Sequence, residues 1–519
     1  MTDAQVLSPP APQIVAQRRA DGHQAEPGRR TWSPASSALL CLPPALLALT
    51  LSVVGIGTRS MWNDEYATWY ASTLGLRDLA KLLNNVDAVV APYYLALHLW
   101  IDVFGDSEAS LRMPSALAMA ATAALTAALG RRLFDTGTGL AAGLIMAALP
   151  TATRYGQEAR PYAFAIGFAT LATLLLLRAI ERPTWRRWYW YGAGVILAGL
   201  VHIVTLTVLP DARLLPVAGV PYRRRPAAAA LERRRLPRRD GGAPAGGQGL
   251  GPVVGHLLDQ GRRHGGDDPA GADLRLLAGR RRGARRGAAG DDPALAGAAG
   301  GPIVLLLSWA LFPPIFCYVT FPILHLFLHR YLLFTVPAWA LLAAALGFAL
   351  VRFAYPVRAR IPVSLSALLV VAAVLVVGGP GQRAARHSPV YGEPDFRAAA
   401  RAVLAAAAPG DGIVYAGVTR NGRRAFDYET RQSVLPRDVL VERSSQQNGT
   451  FGAQECADPG ICVGVTKRIW LVSPTDSHLD PMNGMPGPIQ GFLLTAYTLS
   501  EFRTFEHVRI FVLNRKDVN

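Results

Sequence analysis

The chain has few charged residues and few cysteines for its length. Of its 519 residues, 17% are charged and 51% are hydrophobic, and the mean hydropathy is +0.23. A soluble enzyme of this size carries more charge on its surface. The shortage excludes an ordinary soluble enzyme and predicts a polytopic membrane protein. Four cysteines are too few for a disulfide scaffold.

The charge that is present is mostly positive, with a net value of +17. In a soluble protein this excess would suggest binding to nucleic acid. Here much of it lies in arginine-rich pieces between apolar runs, which is typical of the cytoplasmic loops of membrane proteins. We therefore expect a membrane as partner and no nucleic acid.

Changes in composition divide the chain into five segments. Residues 1–36 are rich in Pro, Ala, Gln and Arg, which predicts a disordered cytoplasmic tail. Residues 37–210 and 301–380 carry apolar runs between basic clusters and predict an all-α polytopic membrane domain. Residues 381–519 predict a small extracytoplasmic α/β domain, with a helix-like run at 395–407 and strand-like runs at 412–416, 439–442, 468–472 and 508–513. Residues 211–300 fit neither pattern.

Residues 211–300 use a restricted set of amino acids. They contain seventeen arginines and one aromatic residue, Tyr222, and they lack Ser, Thr, Asn, Lys, Ile, Met, Phe, Trp and Cys. One interpretation is a long disordered basic loop, because this composition cannot build a core. The other is a shifted reading frame between two compensating slips, since the charge pattern requires an odd number of crossings here and no run can supply one.

The apolar runs predict the membrane crossings, which we place at residues 37–57, 113–130, 139–151, 162–180, 189–209, 303–318, 331–351 and 363–377. Basic clusters such as Arg131–Arg132 and Arg186–Arg187 then lie in the cytoplasm. Cys41 and Cys317 fall inside apolar runs and are expected to be buried thiols. Cys456 and Cys462 fall in the extracytoplasmic domain, where an oxidising compartment favours a disulfide between them.

Two adjacent carboxylates, Asp64 and Glu65, directly follow the first apolar run. They should emerge beyond the far membrane interface, where a lipid-borne substrate and water can both reach them. The alternative is an ordinary solvated pair beside an interfacial Trp62. The polar loop Arg154–Tyr162 is predicted to lie on the same face, and this shared location favours a site.

Six short motifs carry a further signal: Trp62–Glu65, Pro92–Leu95, Gly105–Glu108, Leu111–Ser115, Tyr155–Tyr162 and Arg330–Leu332. Together they resemble bacterial members of glycosyltransferase family 39, which includes protein O-mannosyltransferases and the aminoarabinose transferases of lipid A. The resemblance covers about residues 37–210 and 302–380 and implies a GT-C fold. It implies inverting transfer of a mannose-like sugar from a polyprenyl-phosphate donor to a protein, lipid or glycan acceptor outside the plasma membrane. No cofactor is implied, and no residue cluster indicates a divalent metal, although one stays open.

The chemistry of this transfer assigns roles to residues on the outer face. Asp64, with Glu65 beside it, is the catalytic candidate, because a partly desolvated carboxylate can take the acceptor proton. Arg160 and Arg330 are expected to hold the leaving phosphate, since arginines bind phosphate in a forked geometry. Further candidates for substrate binding are Glu158, Tyr162, Tyr331 and His98. The alternatives are snorkelling for the arginines, an ion pair between Glu158 and Arg160, and simple packing for His98.

A non-catalytic polytopic protein, such as a transporter or a lipid-binding scaffold, is the alternative function. In such a protein Asp64, Arg160 and Arg330 would be members of buried ion pairs. A transporter places its charges near the middle of the bilayer in broken helices, whereas these charges cluster in predicted outer loops. The sequence therefore favours the enzyme.

Overall fold

The computed structural model describes residues 34–208, 293–354, 363–390, 392–417, 419–473 and 480–516. The predicted tail before residue 34 and residues 211–292 of the low-complexity segment lie outside the described residues. The interpretations given above for these two stretches stay predictions.

Helices form most of the described chain. In chain order they are α1 (Pro34–Val53), α2 (Asn63–Thr73), α3 (Leu76–Asn85), α4 (Ala91–Phe104), α5 (Glu108–Leu133), α6 (Thr136–Ala148), α7 (Pro150–Gly156), α8 (Tyr162–Glu181), α9 (Trp185–Val201), α10 (Pro293–Val319), α11 (Phe321–Leu324), α12 (Val336–Ala354), α13 (Val363–Ala385), α14 (Phe396–Ala406), α15 (Thr419–Glu429), α16 (Ser445–Asn448), α17 (Pro459–Val463) and α18 (Gly487–Ala496). Short 3-10 helices lie at Ala88–Val90, Ile203–Val208, His329–Tyr331 and Leu333–Thr335.

Four stretches of the described chain are long and apolar enough to cross a membrane, namely Glu108–Leu133, Tyr162–Glu181, Gly300–Val319 and Leu333–Leu350. Each coincides with a predicted crossing. The apolar parts of α1 and α6 are shorter. α9 ends at Val201 rather than near Leu209, because a 3-10 turn follows it. α10 begins at Pro293, before the predicted start at Ile303.

Small residues let α5 and α6 approach each other closely. A Cβ added to Gly143 would lie 2.7 Å from the Ala127 Cβ, and one added to Gly139 would lie 2.6 Å from the Ala127 carbonyl oxygen. Membrane helices associate through such close backbone packing, because the hydrophobic effect does not drive association inside a lipid bilayer. A side chain at Gly139 or Gly143 would therefore force α5 and α6 apart.

A mixed five-stranded sheet forms the core of the C-terminal domain. The strands of the described chain are β1 (Gly412–Tyr415), β2 (Arg437–Asp438), β3 (Val441–Arg443), β4 (Gln454–Glu455), β5 (Arg468–Ser473), β6 (Tyr497–Phe505) and β7 (Val508–Arg515). The sheet order is β2-β1-β5-β7-β6, and β3 pairs with β4 separately. β1 is parallel to both of its neighbours, whereas β7 is antiparallel to β5 and β6. The predicted all-α membrane part and small C-terminal α/β domain are confirmed.

Polar contacts hold this domain against α2 and the start of α5. The Tyr66 hydroxyl donates to Glu429 Oε1 at 2.9 Å. Arg397 binds both Glu429 Oε2, at 3.3 Å, and Glu108 Oε1, at 2.8 Å. Elsewhere in the domain Cys456 and Cys462 form a disulfide, with their Cα atoms 6.5 Å apart. The domain therefore covers the end of the membrane helices at which Asp64 lies.

Labelling of single cysteines tests the predicted orientation of this end. In a background without Cys41 and Cys317, Ser433→Cys and Thr184→Cys place thiols at two exposed positions. We expect a membrane-impermeant maleimide to label Ser433→Cys in intact cells, and Thr184→Cys only after permeabilisation, because Thr184 lies among basic residues predicted to be cytoplasmic. The reverse pattern would contradict the orientation.

Candidate active site

Asn63, Asp64 and Glu65 form the first turn of α2, and Trp62 precedes the helix with an extended backbone. Carboxylates are favourable in a first turn, because its unpaired backbone N–H groups give it partial positive charge. Successive side chains on an α-helix are about 100° apart. The two adjacent carboxylates therefore face different surroundings.

The Glu65 side chain is fully buried against α5. Arg112 donates from Nε to Glu65 Oε1 at 2.8 Å and from Nη2 to Glu65 Oε2 at 2.7 Å, and the Ala159 N–H donates to Oε1 at 2.8 Å. Burial raises the pKa of Glu65, but the charge and hydrogen bonds of Arg112 outweigh burial and hold the pKa below its ordinary value. Glu65 is an ionised group that is closed to solvent.

Arg112 also holds the loop between α1 and α2. Its Nη1 donates to the carbonyl oxygens of Ile56, at 2.8 Å, and Arg59, at 2.9 Å, and its Nη2 donates to that of Ser60 at 3.2 Å. With Glu65, these acceptors occupy all five guanidinium N–H groups. The pair does not fit the catalytic role that the sequence suggested for Glu65, because no part of its carboxylate is open to a substrate. The contacts favour a role in positioning α2.

The Asp64 side chain is 31% exposed and faces Arg160. The Arg160 Nη2 lies 3.6 Å from Asp64 Oδ2, and Nη1 donates to Thr68 Oγ1 at 3.2 Å. The Tyr162 ring centre lies 5.8 Å from the Arg160 guanidinium carbon. The pair is a loose one, because an ideal ion pair of this kind has N–O distances below 3 Å.

Arg330 reaches the same region from the turn before α12. Its guanidinium carbon lies 6.0 Å from the ring centre of Trp62 and 5.9 Å from that of Tyr331. The Tyr331 ring lies 4.8 Å from His202, and His202 lies 6.2 Å from Tyr162. These ring contacts connect three segments that are far apart in the sequence. Asp64, Arg160, Tyr162, Arg330 and Tyr331 thus lie in one region, and the roles that the sequence suggested for them stay predictions.

Glu158 and His98 are not part of this group. Glu158 is buried and pairs with Arg154, whose Nε lies 2.7 Å away, so the suggested ion pair with Arg160 is absent from the described contacts. Burial raises the pKa of Glu158. His98 Nδ1 lies 2.8 Å from the Ser72 carbonyl oxygen, two helical turns beyond Asp64 on α2. Neither residue has a described contact with Asp64, Arg160 or Arg330.

Glu393 belongs to the site but carries no signal in the sequence. It lies in the segment between α13 and α14, and its Oε2 accepts a hydrogen bond of 2.6 Å from Asn63 Nδ2. Burial raises the pKa of Glu393, and the nearby charge of Asp64 raises it further, whereas Arg154 and Arg330 oppose the rise. More than three hundred residues separate Glu393 from Asn63, so no local pattern could reveal the contact.

A cavity of about 520 Å³ lies between α7, the turn before α12, and α13. Apolar side chains line much of it, among them Pro150, Leu332, Leu333 and Val336. Arg154 and His329 supply polar groups. Tyr155 also lines the cavity, and its ring centre lies 5.6 Å from that of Tyr162. The cavity is thereby next to the aromatic group around Arg160. Among the described residues, no three His, Cys, Asp or Glu side chains are placed to hold a metal ion.

Comparison with known proteins gives one family match, which covers part of the chain. Residues 87–225 match the family of dolichyl-phosphate-mannose-protein mannosyltransferases. The crystal structure of ArnT from Cupriavidus metallidurans in the apo state is similar with a TM-score of 0.46 and 13% sequence identity, over 93% of this chain and 98% of that one. None of the curated proteins matches the chain. The family match includes the Tyr155–Tyr162 motif that contains Arg160.

Loss of the Glu65 charge should destabilise the fold. We expect Glu65→Gln to lower the free energy of unfolding by about 3–5 kcal/mol, because it leaves the buried Arg112 charge unpaired. Glu181→Gln is the matched control, since its partner Arg132 is partly exposed and such a pair contributes about 1 kcal/mol or less. Thermal unfolding in detergent measures both. Equal effects of the two substitutions would contradict the positioning role.

The ion pair between Glu65 and Arg112 also makes the stability of the fold depend on pH. The pKa of Glu65 is lower in the folded state than its ordinary value of about 4.3. Its contribution to stability is therefore complete above about pH 4.3 and is lost as the pH falls through the folded-state pKa. Unfolding curves of the parent and Glu65→Gln proteins should converge only in this acidic range.

Proposed function

We propose that this chain, whose residues 87–225 match the mannosyltransferase family, is an inverting GT-C membrane glycosyltransferase. It moves a mannose-like sugar from a polyprenyl-phosphate donor to an acceptor outside the plasma membrane. The acceptor is a protein, lipid or glycan. The observation that carries the proposal is the 3.6 Å contact between the partly exposed Asp64 and Arg160, next to Arg330 and its aromatic partners.

Asp64 is the general base of the proposed reaction. Of the two adjacent carboxylates, only Asp64 is open to an acceptor, because Glu65 is closed by Arg112. The acceptor hydroxyl oxygen bonds to the anomeric carbon of the sugar while its proton passes to Asp64. The bond from that carbon to the phosphate oxygen breaks on the opposite face, and the electron pair leaves with the polyprenyl phosphate. Attack opposite the leaving group inverts the anomeric centre.

Arg160 and Arg330 stabilise the leaving phosphate. Negative charge grows on the phosphate oxygens as the bond to the sugar breaks, and guanidinium groups fixed in advance lower the energy of that state. The Nε atoms of both arginines are enclosed and have no hydrogen-bond partner in the described chain. A bound phosphate would satisfy such donors. It would also draw Arg160 away from the loose pair with Asp64 and leave the carboxylate free to act as base.

The cavity of about 520 Å³ supports a lipid-borne donor. Its apolar wall, formed by side chains such as Leu332, Leu333 and Val336, suits a hydrocarbon chain. Arg154 and Tyr155 line the cavity, and the Tyr155 ring contacts Tyr162, which belongs to the polar site. A polyprenyl chain in this cavity would present its phosphate towards Arg160.

Substitutions in the full-length chain separate the base from the phosphate ligands. We expect Asp64→Asn to reduce turnover by about 100- to 10,000-fold with little change in donor affinity, because the base acts only in the transition state. Arg160→Ala and Arg330→Ala should weaken both donor binding and turnover, because the phosphate is charged before and during the reaction. Sugar transfer from polyprenyl-phosphate mannose and binding of the donor are the two measurements.

Exposed residues of the same types serve as controls for these variants. Asp102→Asn and Arg437→Ala alter exposed positions and should leave both measurements unchanged. Near-normal turnover of Asp64→Asn would contradict its role as base. Donor affinity that is unchanged in both arginine variants would contradict the phosphate site and favour a non-catalytic membrane protein.

A further inference from the structure

Trp62 and Asn63 present two unused hydrogen-bonding atoms beside the proposed base. Within the described chain, the Trp62 Nε1 donor and the Asn63 Oδ1 acceptor are both enclosed and have no hydrogen-bond partner. Buried polar atoms nearly always have partners, because an unmade hydrogen bond is destabilising. Two such atoms on consecutive residues next to Asp64 indicate a ligand that offers both an acceptor and a donor.

Glu393 determines which end of the Asn63 amide is unused. The amide nitrogen donates to Glu393 Oε2 at 2.6 Å. An ionised Glu393 carboxylate has only acceptor oxygens, so it pairs with the amide N–H and not with the amide oxygen. The amide is therefore oriented with its nitrogen towards Glu393 and its oxygen away from it. Asn63 is held as a hydrogen-bond acceptor.

We propose that Trp62 and Asn63 bind the sugar that is transferred, and that Glu393 is the positioning residue for Asn63. Trp62 Nε1 donates to the sugar hydroxyls and Asn63 Oδ1 accepts from them. This inference rests on the proposed function, because it takes the ligand to be a lipid-linked sugar. A sugar hydroxyl both donates and accepts, so one ligand satisfies both atoms, and the indole ring offers an apolar face to the sugar ring.

The position of Arg330 agrees with a sugar at this place. Its guanidinium carbon lies 6.0 Å from the Trp62 ring centre. In the proposed function Arg330 holds the phosphate to which the sugar is bonded. A sugar at Trp62 and Asn63 is therefore one bond away from that phosphate and next to Asp64 in the following position of α2. The subsite opens as the phosphate draws Arg330 off the indole ring.

The segment that carries Glu393 is fastened to the loop before Trp62. The Ser60 N–H donates to Ser388 Oγ at 3.1 Å, and Arg59 Nη1 donates to the Ala385 carbonyl oxygen at 3.0 Å. These contacts fix the distance between Glu393 and Asn63. Recognition of the sugar thus depends on the segment that leads from the last membrane helix into the C-terminal domain.

Binding of the donor with and without its sugar tests the inference independently of catalysis. Purified full-length protein would be titrated with polyprenyl-phosphate mannose and with bare polyprenyl phosphate. We expect the parent protein to bind the mannose-bearing lipid about 10-fold more tightly or better, because two further hydrogen bonds form. The affinity ratio is the affinity for the mannose-bearing lipid divided by that for bare polyprenyl phosphate. Asn63→Ala and Glu393→Ala should reduce this ratio to about 3-fold or less while the affinity for bare polyprenyl phosphate stays unchanged.

Further variants separate positioning from folding and from charge. Glu393→Gln should keep most of the ratio, because its amide oxygen still accepts from Asn63. Trp62→Phe should reduce the ratio by removing Nε1 while keeping a ring. Glu506→Gln, at an exposed position, is the control and should keep the full ratio. Unchanged affinity for bare polyprenyl phosphate shows that each variant is folded.

The possible outcomes are distinguishable. Equal affinity of the parent protein for the two lipids, or a full ratio in Asn63→Ala, would overturn the sugar subsite and leave the lipid-phosphate site intact. Loss of the ratio in Glu393→Gln to the same extent as in Glu393→Ala would overturn the positioning role. A parent protein that binds neither lipid would contradict the proposed function as well.

Discussion

The buried ion pair between Glu65 and Arg112 is the interaction on which the site depends. Its guanidinium group holds the Glu65 carboxylate and three carbonyl oxygens of the loop before α2, and the carboxylate also accepts from the Ala159 N–H. One group thus joins the α1–α2 loop, α2, α5 and the loop that carries Arg160. A buried charge without its partner is strongly destabilising, so these elements are held in a single arrangement. Asp64 and Arg160 meet as a consequence.

The geometry of α2 gives its two adjacent carboxylates different surroundings. Because neighbouring side chains on α2 point about 100° apart, the turn that buries Glu65 leaves Asp64 partly exposed beside Arg160. Asn63, one residue earlier, points to Glu393 instead. Glu65 therefore faces Arg112, Asp64 faces Arg160, and Asn63 faces the segment that leads to the C-terminal domain. This arrangement explains how a short motif in the first turn of α2 contacts α5, the loop that carries Arg160 and the segment that carries Glu393.

Much of the fold follows from local patterns, whereas the long-range contacts do not. Apolar runs located the four described stretches that are long enough to cross a membrane, and β1, β5 and β7 were predicted because their sequences are mostly apolar. β6 was missed because it is an edge strand with mostly exposed side chains, which gives little hydrophobic signal. The grouping of Asp64, Arg160 and Arg330 was predicted from their common side of the membrane. The burial of Glu65 and the contact of Glu393 were not, because adjacent carboxylates look alike in a sequence and a partner hundreds of residues away leaves no local pattern.

In the proposed function, Arg160 and Arg330 together hold one lipid phosphate beside Asp64. Cryo-electron microscopy of the full-length protein with bound polyprenyl phosphate tests it most directly. We expect the phosphate within hydrogen-bond distance of both guanidinium groups, with the hydrocarbon chain in the cavity lined by Leu333 and Val336. A phosphate bound elsewhere, with Arg160 still on Asp64 and Arg330 still over Trp62, would contradict a phosphate site formed by these two arginines.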